Sequence, residues 1–299
     1  MRRARALLRA TAACCVASFI VTSASLAYAT FEGHNGRIAF ARVTARGVNI
    51  SSIRPDGSGR TIVVHRWFSR APAWSADGAS IAFMASDGGA PDELFTARAD
   101  GSDVTRLTRD DEIQAWPAWS PDGDRIAFVI EGRRREYEIA TIRADGTDLI
   151  RLTRHSGGSS DPDWSPDGTR IAYDVDGQIA SMSPRGRGAQ IVTTDGGFEP
   201  SWSPNGRWIA FSDDGDIYRI RPDGSALTRL TSTPIEEGSP SWSPNGARIA
   251  YLRSRSNDER STYMAAIWIV DADGSDPIRI MRRVSGNQFP LEPPAWQPR

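Results

Sequence analysis

Six side chains in this sequence could hold or transform a ligand if folding gathers them: Arg70, Trp116, Asp161, Asp163, Glu199 and Glu292. All lie within or up to two residues ahead of a Pro-x-Trp triplet, and they differ from one another while the triplets repeat. Carboxylates brought close together can divide into an acid and a base when their surroundings separate their pKa values. The same acids, with Arg70 and Trp116, could instead hold a cation, a sugar or a basic peptide. Variation written onto a repeated scaffold is where a specific site is expected. The plainer expectation for the same ring of residues is a water-filled funnel with no ligand.

Gathering these residues is the work of a repeated cassette. Trp119-Ser120-Pro121-Asp122-Gly123 leads into Ile126-Ala127-Phe128, and near copies open at Trp74, Trp164, Trp202 and Trp242. A recurrence at roughly 40–45 residues marks an array of supersecondary units. Within the cassette, proline presets the first central turn position, Asp or Asn tolerates the second, and glycine accepts the left-handed one. Ile-Ala-Phe/Tyr then alternates large and small as a packed strand does. The tryptophan reads as a wedge between neighbouring sheets.

A second half-unit follows each cassette. Short apolar strands begin at Leu94, Ile139, Ile179, Ile217 and Ile267, and most of them run into a further Asp-Gly turn. A fourth strand then reads Thr105-Arg106-Leu107-Thr108, Ile150-Arg151-Leu152-Thr153 or Thr228-Arg229-Leu230-Thr231. Four short strands per unit make one blade of a β-propeller. Gly36 to Phe40 is a cassette without its tryptophan half, and Pro294-Ala295-Trp296 is one without the remainder. The spacing therefore predicts an all-β, six-bladed β-propeller of four-stranded antiparallel blades. In it, a C-terminal strand completes the first blade and hides the edges an open array would expose.

Residues 1–29 read as a signal peptide and 30–299 as the propeller. Arg2, Arg3, Arg5 and Arg9 precede an uncharged stretch, and Ala27-Tyr28-Ala29 fits a small-x-small cleavage site. An uncleaved anchor is the alternative, diluted by alanine, serine and threonine. An exported chain is thus expected in the periplasm, the cell envelope or outside the cell. Both cysteines, Cys14 and Cys15, lie in the leader, so no disulfide or thiolate metal site follows it. All 36 basic residues are arginine, and the formal net charge is −1. Removing the leader makes the remainder more acidic, which argues against a nucleic-acid surface. A chain this long can bury about three quarters of its unfolded surface in one closed domain.

Signatures of catalysis are missing. There is no G-x-S-x-G, no H-E-x-x-H and no phosphate-binding glycine loop. His34, His65 and His155 fall in different repeats, so no histidine metal centre is expected, and no cofactor. Asp174-Val175-Asp176-Gly177 and Asp213-Asp214-Gly215-Asp216 are too short for a twelve-residue calcium loop and read as turns. Longer charged segments at 131–136 and 252–264 read as exposed hairpin loops, with a partner-binding protrusion as the alternative.

Taken together, W-S-P-D-G-x-x-I-A-F/Y, Ile217-Tyr218-Arg219-Ile220-Arg221-Pro222-Asp223-Gly224 and the R-L-T strands resemble the repeats of the TolB propeller family over residues 36–299. The resemblance implies a six-bladed propeller in the cell envelope that binds proteins. It also implies that the N-terminal α/β domain of TolB has no room between Ala29 and Gly36. Similar propellers precede prolyl-oligopeptidase-type catalytic domains, for which the three residues after Trp296 leave no room. The expected function is an exported, monomeric, non-catalytic scaffold for a protein or peptide. The alternatives are a secreted carbohydrate lyase or hydrolase using the mouth carboxylates, and a small-molecule or metal-binding propeller.

Overall fold

The computed structural model describes residues 34–44, 47–65, 68–86, 91–110, 112–131, 136–154, 158–257, 262–281, 284–286 and 294–298. The expected leader and Glu292 lie outside them. Among the described residues every regular element is a strand, and the strands group into six four-stranded antiparallel blades. The third blade, for example, runs Gln114–Trp119, Arg125–Glu131, Tyr137–Arg143 and Ile150–Arg151 from axis to rim.

Local chemistry makes each blade. In every complete cassette the glycine N–H donates to the serine carbonyl three residues back, as from Gly123 to Ser120, with φ at the glycine between 65° and 74°. The serine hydroxyl reinforces the turn: Ser120 Oγ donates to Asp122 and accepts the Arg125 N–H at 2.9 Å. Asp176-Gly177 and Asp214-Gly215 form two-residue hairpin turns with φ positive at both positions, the geometry that suits the right-handed twist of the flanking strands.

The first blade confirms the split. Ala295–Pro298 pairs with Asn35–Thr44, with Ile38 opposite Trp296 and Ala39 opposite Ala295. Gly47–Ile53 and Thr61–Val64 complete it. One parallel pair, Val48 with Phe68, links this blade to the second, which begins at Phe68–Trp74. Each innermost strand packs against the innermost strands on both sides, and the circle closes between Glu236–Trp242, Ala295–Pro298 and Phe68–Trp74.

The six tryptophans of the cassettes are 2–5% exposed. Each joins a core cluster between blades; Trp296, Ile38 and Phe40 pack with Ala250, Ile267 and Ile269 of the sixth blade. None of the six indole N–H groups finds a hydrogen-bond acceptor among the described residues, so they act through shape and apolar area. The sixth blade is the longest, its hairpin arms being Arg248–Asn257 and Thr262–Asp271, with Val284–Gly286 added beside the second arm.

Candidate functional site at the start of the innermost strands

Five of the six innermost strands carry an irregularity at the same place. Pairing with the second strand slips between Arg70 and Ala73, Ala115 and Ala118, Ser160 and Asp163, Phe198 and Ser201, and Gly238 and Ser241. Inside each slip stands a non-glycine residue in front of proline with left-handed φ. These are Ala71 at 46°, Trp116 at 51°, Asp161 at 52°, Glu199 at 56° and Ser239 at 58°. Such a conformation costs of order 1–3 kcal/mol and persists only where its surroundings over-determine it. The bulge re-aims one side chain per blade, at the end of the strand opposite the Ser-x-Asp/Asn-Gly turn.

Of the residues expected at this mouth, Trp116, Asp161 and Glu199 occupy the bulge itself. Arg70 stands one residue earlier, in a different register, and forms a largely buried ion pair with Asp92 of its own blade. Burial pushes the Asp92 carboxyl up while the Arg70 charge opposes the shift. Trp116 meets Tyr137 edge to face, with ring centroids 6.1 Å apart.

Glu199 bridges two blades. Its Oε2 accepts from Ser212 Oγ at 2.8 Å and from the Ser239 N–H at 2.6 Å, and its Oε1 accepts from Ser239 Oγ at 3.0 Å. Desolvation raises its pKa in spite of those three donors. Asp163, fully buried, accepts the Trp202 N–H of the next blade at 2.6 Å. Among the described residues its Oδ1 has no hydrogen-bond partner, and burial holds its pKa well above the usual carboxylate range.

Sequence reasoning missed Asp174, which it placed in a turn. Asp174 lies on the second strand of the fourth blade, 7% exposed, and accepts from the N–H and hydroxyl of Ser160. Its carboxyl is pushed up to about 6, chiefly by burial and further by the charge of Glu199, with the Ser160 bonds opposing. Glu199 thus joins the fifth and sixth blades through Ser239, and its charge reaches Asp174 of the fourth, while Arg70 pairs within its own blade and Trp116 packs against apolar residues of its neighbours as well. Among the described residues no group of three or more His, Cys, Asp or Glu side chains is placed to hold a metal ion.

The repeated chain has a counterpart in a known family. The model of the TolB beta propeller domain matches residues 113–299. The chain belongs to this family. No curated protein sequence matches it. Among solved structures, TolB from Acinetobacter baumannii superposes on this TolB-family propeller with a TM-score of 0.73 at 22% identity, covering 88% of this chain and 67% of that one. A chain of a nidogen/laminin complex gives 0.63 at 12% identity, covering 87% and 98%. Oligogalacturonate lyase from Vibrio parahaemolyticus gives 0.53 at 15% identity, covering 78% and 74%. At these identities the likeness to all three is one of fold.

Proposed function

We propose that this TolB-family propeller is exported and serves, in the cell envelope or outside the cell, as a non-catalytic scaffold that holds a protein or peptide. The binding face is the one where the innermost strands begin. The observation that carries this reading is the row of five strained bulges, each presenting a different residue on an otherwise repeated frame. The acidic leader-free chain and the resemblance to an envelope family support it. The bonds of Glu199 and Asp163 to protein donors favour bracing over acid–base turnover, and so weigh against a carbohydrate-cleaving enzyme.

Trp116 is the side chain to test, because partly exposed aromatic anchors dominate the energy of protein interfaces. Immobilised protein is expected to retain one stoichiometric partner from envelope extract. Trp116→Ala, with an unchanged melting profile, is expected to weaken that complex at least about tenfold, or 1.4 kcal/mol. Absence of any stoichiometric partner, or equal affinity in the variant, contradicts the reading.

A further inference from the structure

In each blade one residue directly precedes the Ile-Ala of the second strand. In four blades this residue is arginine: Arg37, Arg125, Arg170 and Arg248. Their guanidinium groups staple the blade from within. Arg37 Nε donates to Ser52 Oγ at 2.7 Å, Arg170 Nε to Ser181 Oγ at 3.0 Å, and Arg248 Nε to Asp271 Oδ1 at 3.1 Å. Arg125 is the fullest case. It donates to Thr141 Oγ1 at 3.3 Å, to Asp148 Oδ2 at 2.8 Å and to the Asp148 carbonyl at 2.6 Å.

Two blades depart. In the fifth, Trp208 takes the position and Arg219 of the third strand lies 4.4 Å above its ring, reversing the order of base and partner. In the second blade the position is Ser80, too short to reach. Ser80 pairs with Arg98 as Arg125 pairs with Arg143, which makes the two blades superposable residue by residue. Thr96 then stands where Thr141 does, and Asp103 where Asp148 does, both aspartates being left-handed, at 52° and 55°. The acceptors of a guanidinium are all retained, and among the described residues no arginine donates to Thr96.

The space left by the missing arginine is a groove of about 490 Å³ between the second and third blades, with Ser80, Thr96 and Asp103 on one side and Trp119 and Pro121 on the other. Asp77 and Asp122 also line it, so three carboxylates face a single cation, Arg98. Arg98 already pairs with Asp103 at 2.6 Å, but both side chains are about two-thirds exposed. In the third blade the equivalent aspartate serves two guanidiniums at once, Arg125 and Arg143.

We infer that this groove is a receptor for an arginine side chain supplied by a partner peptide or protein, which completes from outside the staple that the other blades make from within. A guanidinium fork of N–H donors reaches a hydroxyl, a carboxylate and a carbonyl together, as Arg125 does in the third blade; a lysine ammonium lacks that fork. This site lies at the far end of the blades from the bulges, and it stands whether or not the bulged face binds anything.

The test is a titration of the isotopically labelled protein with acetyl-Gly-Arg-Gly-amide, followed by the backbone amide resonances of Ser80 and Thr96. The expected result is a saturable shift at both residues that weakens as salt is added. The peptide with citrulline in place of arginine, of the same shape without the charge, is expected to bind at least about tenfold more weakly. Ser80→Arg is expected to abolish binding and raise the melting temperature by filling the slot; Asp103→Asn, on an exposed turn, is expected to weaken binding with the fold unchanged. No saturable shift, equal affinity for the citrulline peptide, or undiminished binding in both variants overturns the inference.

Discussion

Asp174 shows how a single carboxylate can report on the packing of two blades. Its pKa of about 6 means that the folded state binds this proton more tightly than the unfolded chain does. Stability contributed by the proton is therefore complete below the ordinary carboxylate range and is lost as pH rises through about 6. Asp174→Asn keeps an acceptor for Ser160 and removes the titration. Thermal or urea melts should find the variant more stable than the parent above pH 6, by about 1–3 kcal/mol, with the gap closing toward pH 4. A gap that does not change with pH would contradict this. Little of it was legible beforehand: Asp174 reads as part of an Asp-x-Asp-Gly turn, and only its hairpin partner Ile179 and the approach of Glu199 show that it faces inward. The same holds for Arg70, whose partner Asp92 lies in a segment without repeat character.

At the scale of elements, the turns and the first three strands of each blade could be read directly, because Ser-x-Asp-Gly and Asp-Gly chemistry is local. The fourth strand was read in the right place but too long. In five blades it pairs over two residues only, such as Ile150–Arg151, and the Leu-Thr that follows works differently. Leu152 N–H donates to the Ile139 carbonyl at 2.8 Å, and the buried Thr153 hydroxyl accepts the Ile139 N–H at 2.8 Å. Thr108, Thr193 and Thr231 repeat this bond in their own blades. A side chain thus ends the ladder, leaving a short outer edge that resists pairing with another chain. Thr153→Val keeps the volume and orphans a buried N–H, so denaturant melts should show a loss of about 1–3 kcal/mol; an unchanged midpoint would refute the role. The bulges were equally hidden, since proline predicts an extended residue before it, and the left-handed φ at Trp116 or Glu199 is imposed by the ring.

On the scale of the whole molecule, the sequence disclosed the closure because two incomplete cassettes complement each other: one lacks its tryptophan, and the other lacks everything after it. The structure places Trp296 opposite Ile38 and seals the sixth blade against the first with the same wedge used elsewhere. That arrangement sets the orientation of every bulge and every staple, including the slot at Ser80. Ala39 and Ala295 are paired across the closing strands, both fully or almost fully buried. The most direct test is mild oxidation of the Ala39→Cys, Ala295→Cys double variant in a chain whose Cys14 and Cys15 are replaced by serine. Paired residues in a sheet have the Cα separation a disulfide requires. A closed ring yields rapid, complete cross-linking in the folded protein and a higher melting temperature; thiols that stay free until the protein is unfolded would show that the two ends of the chain do not share a blade.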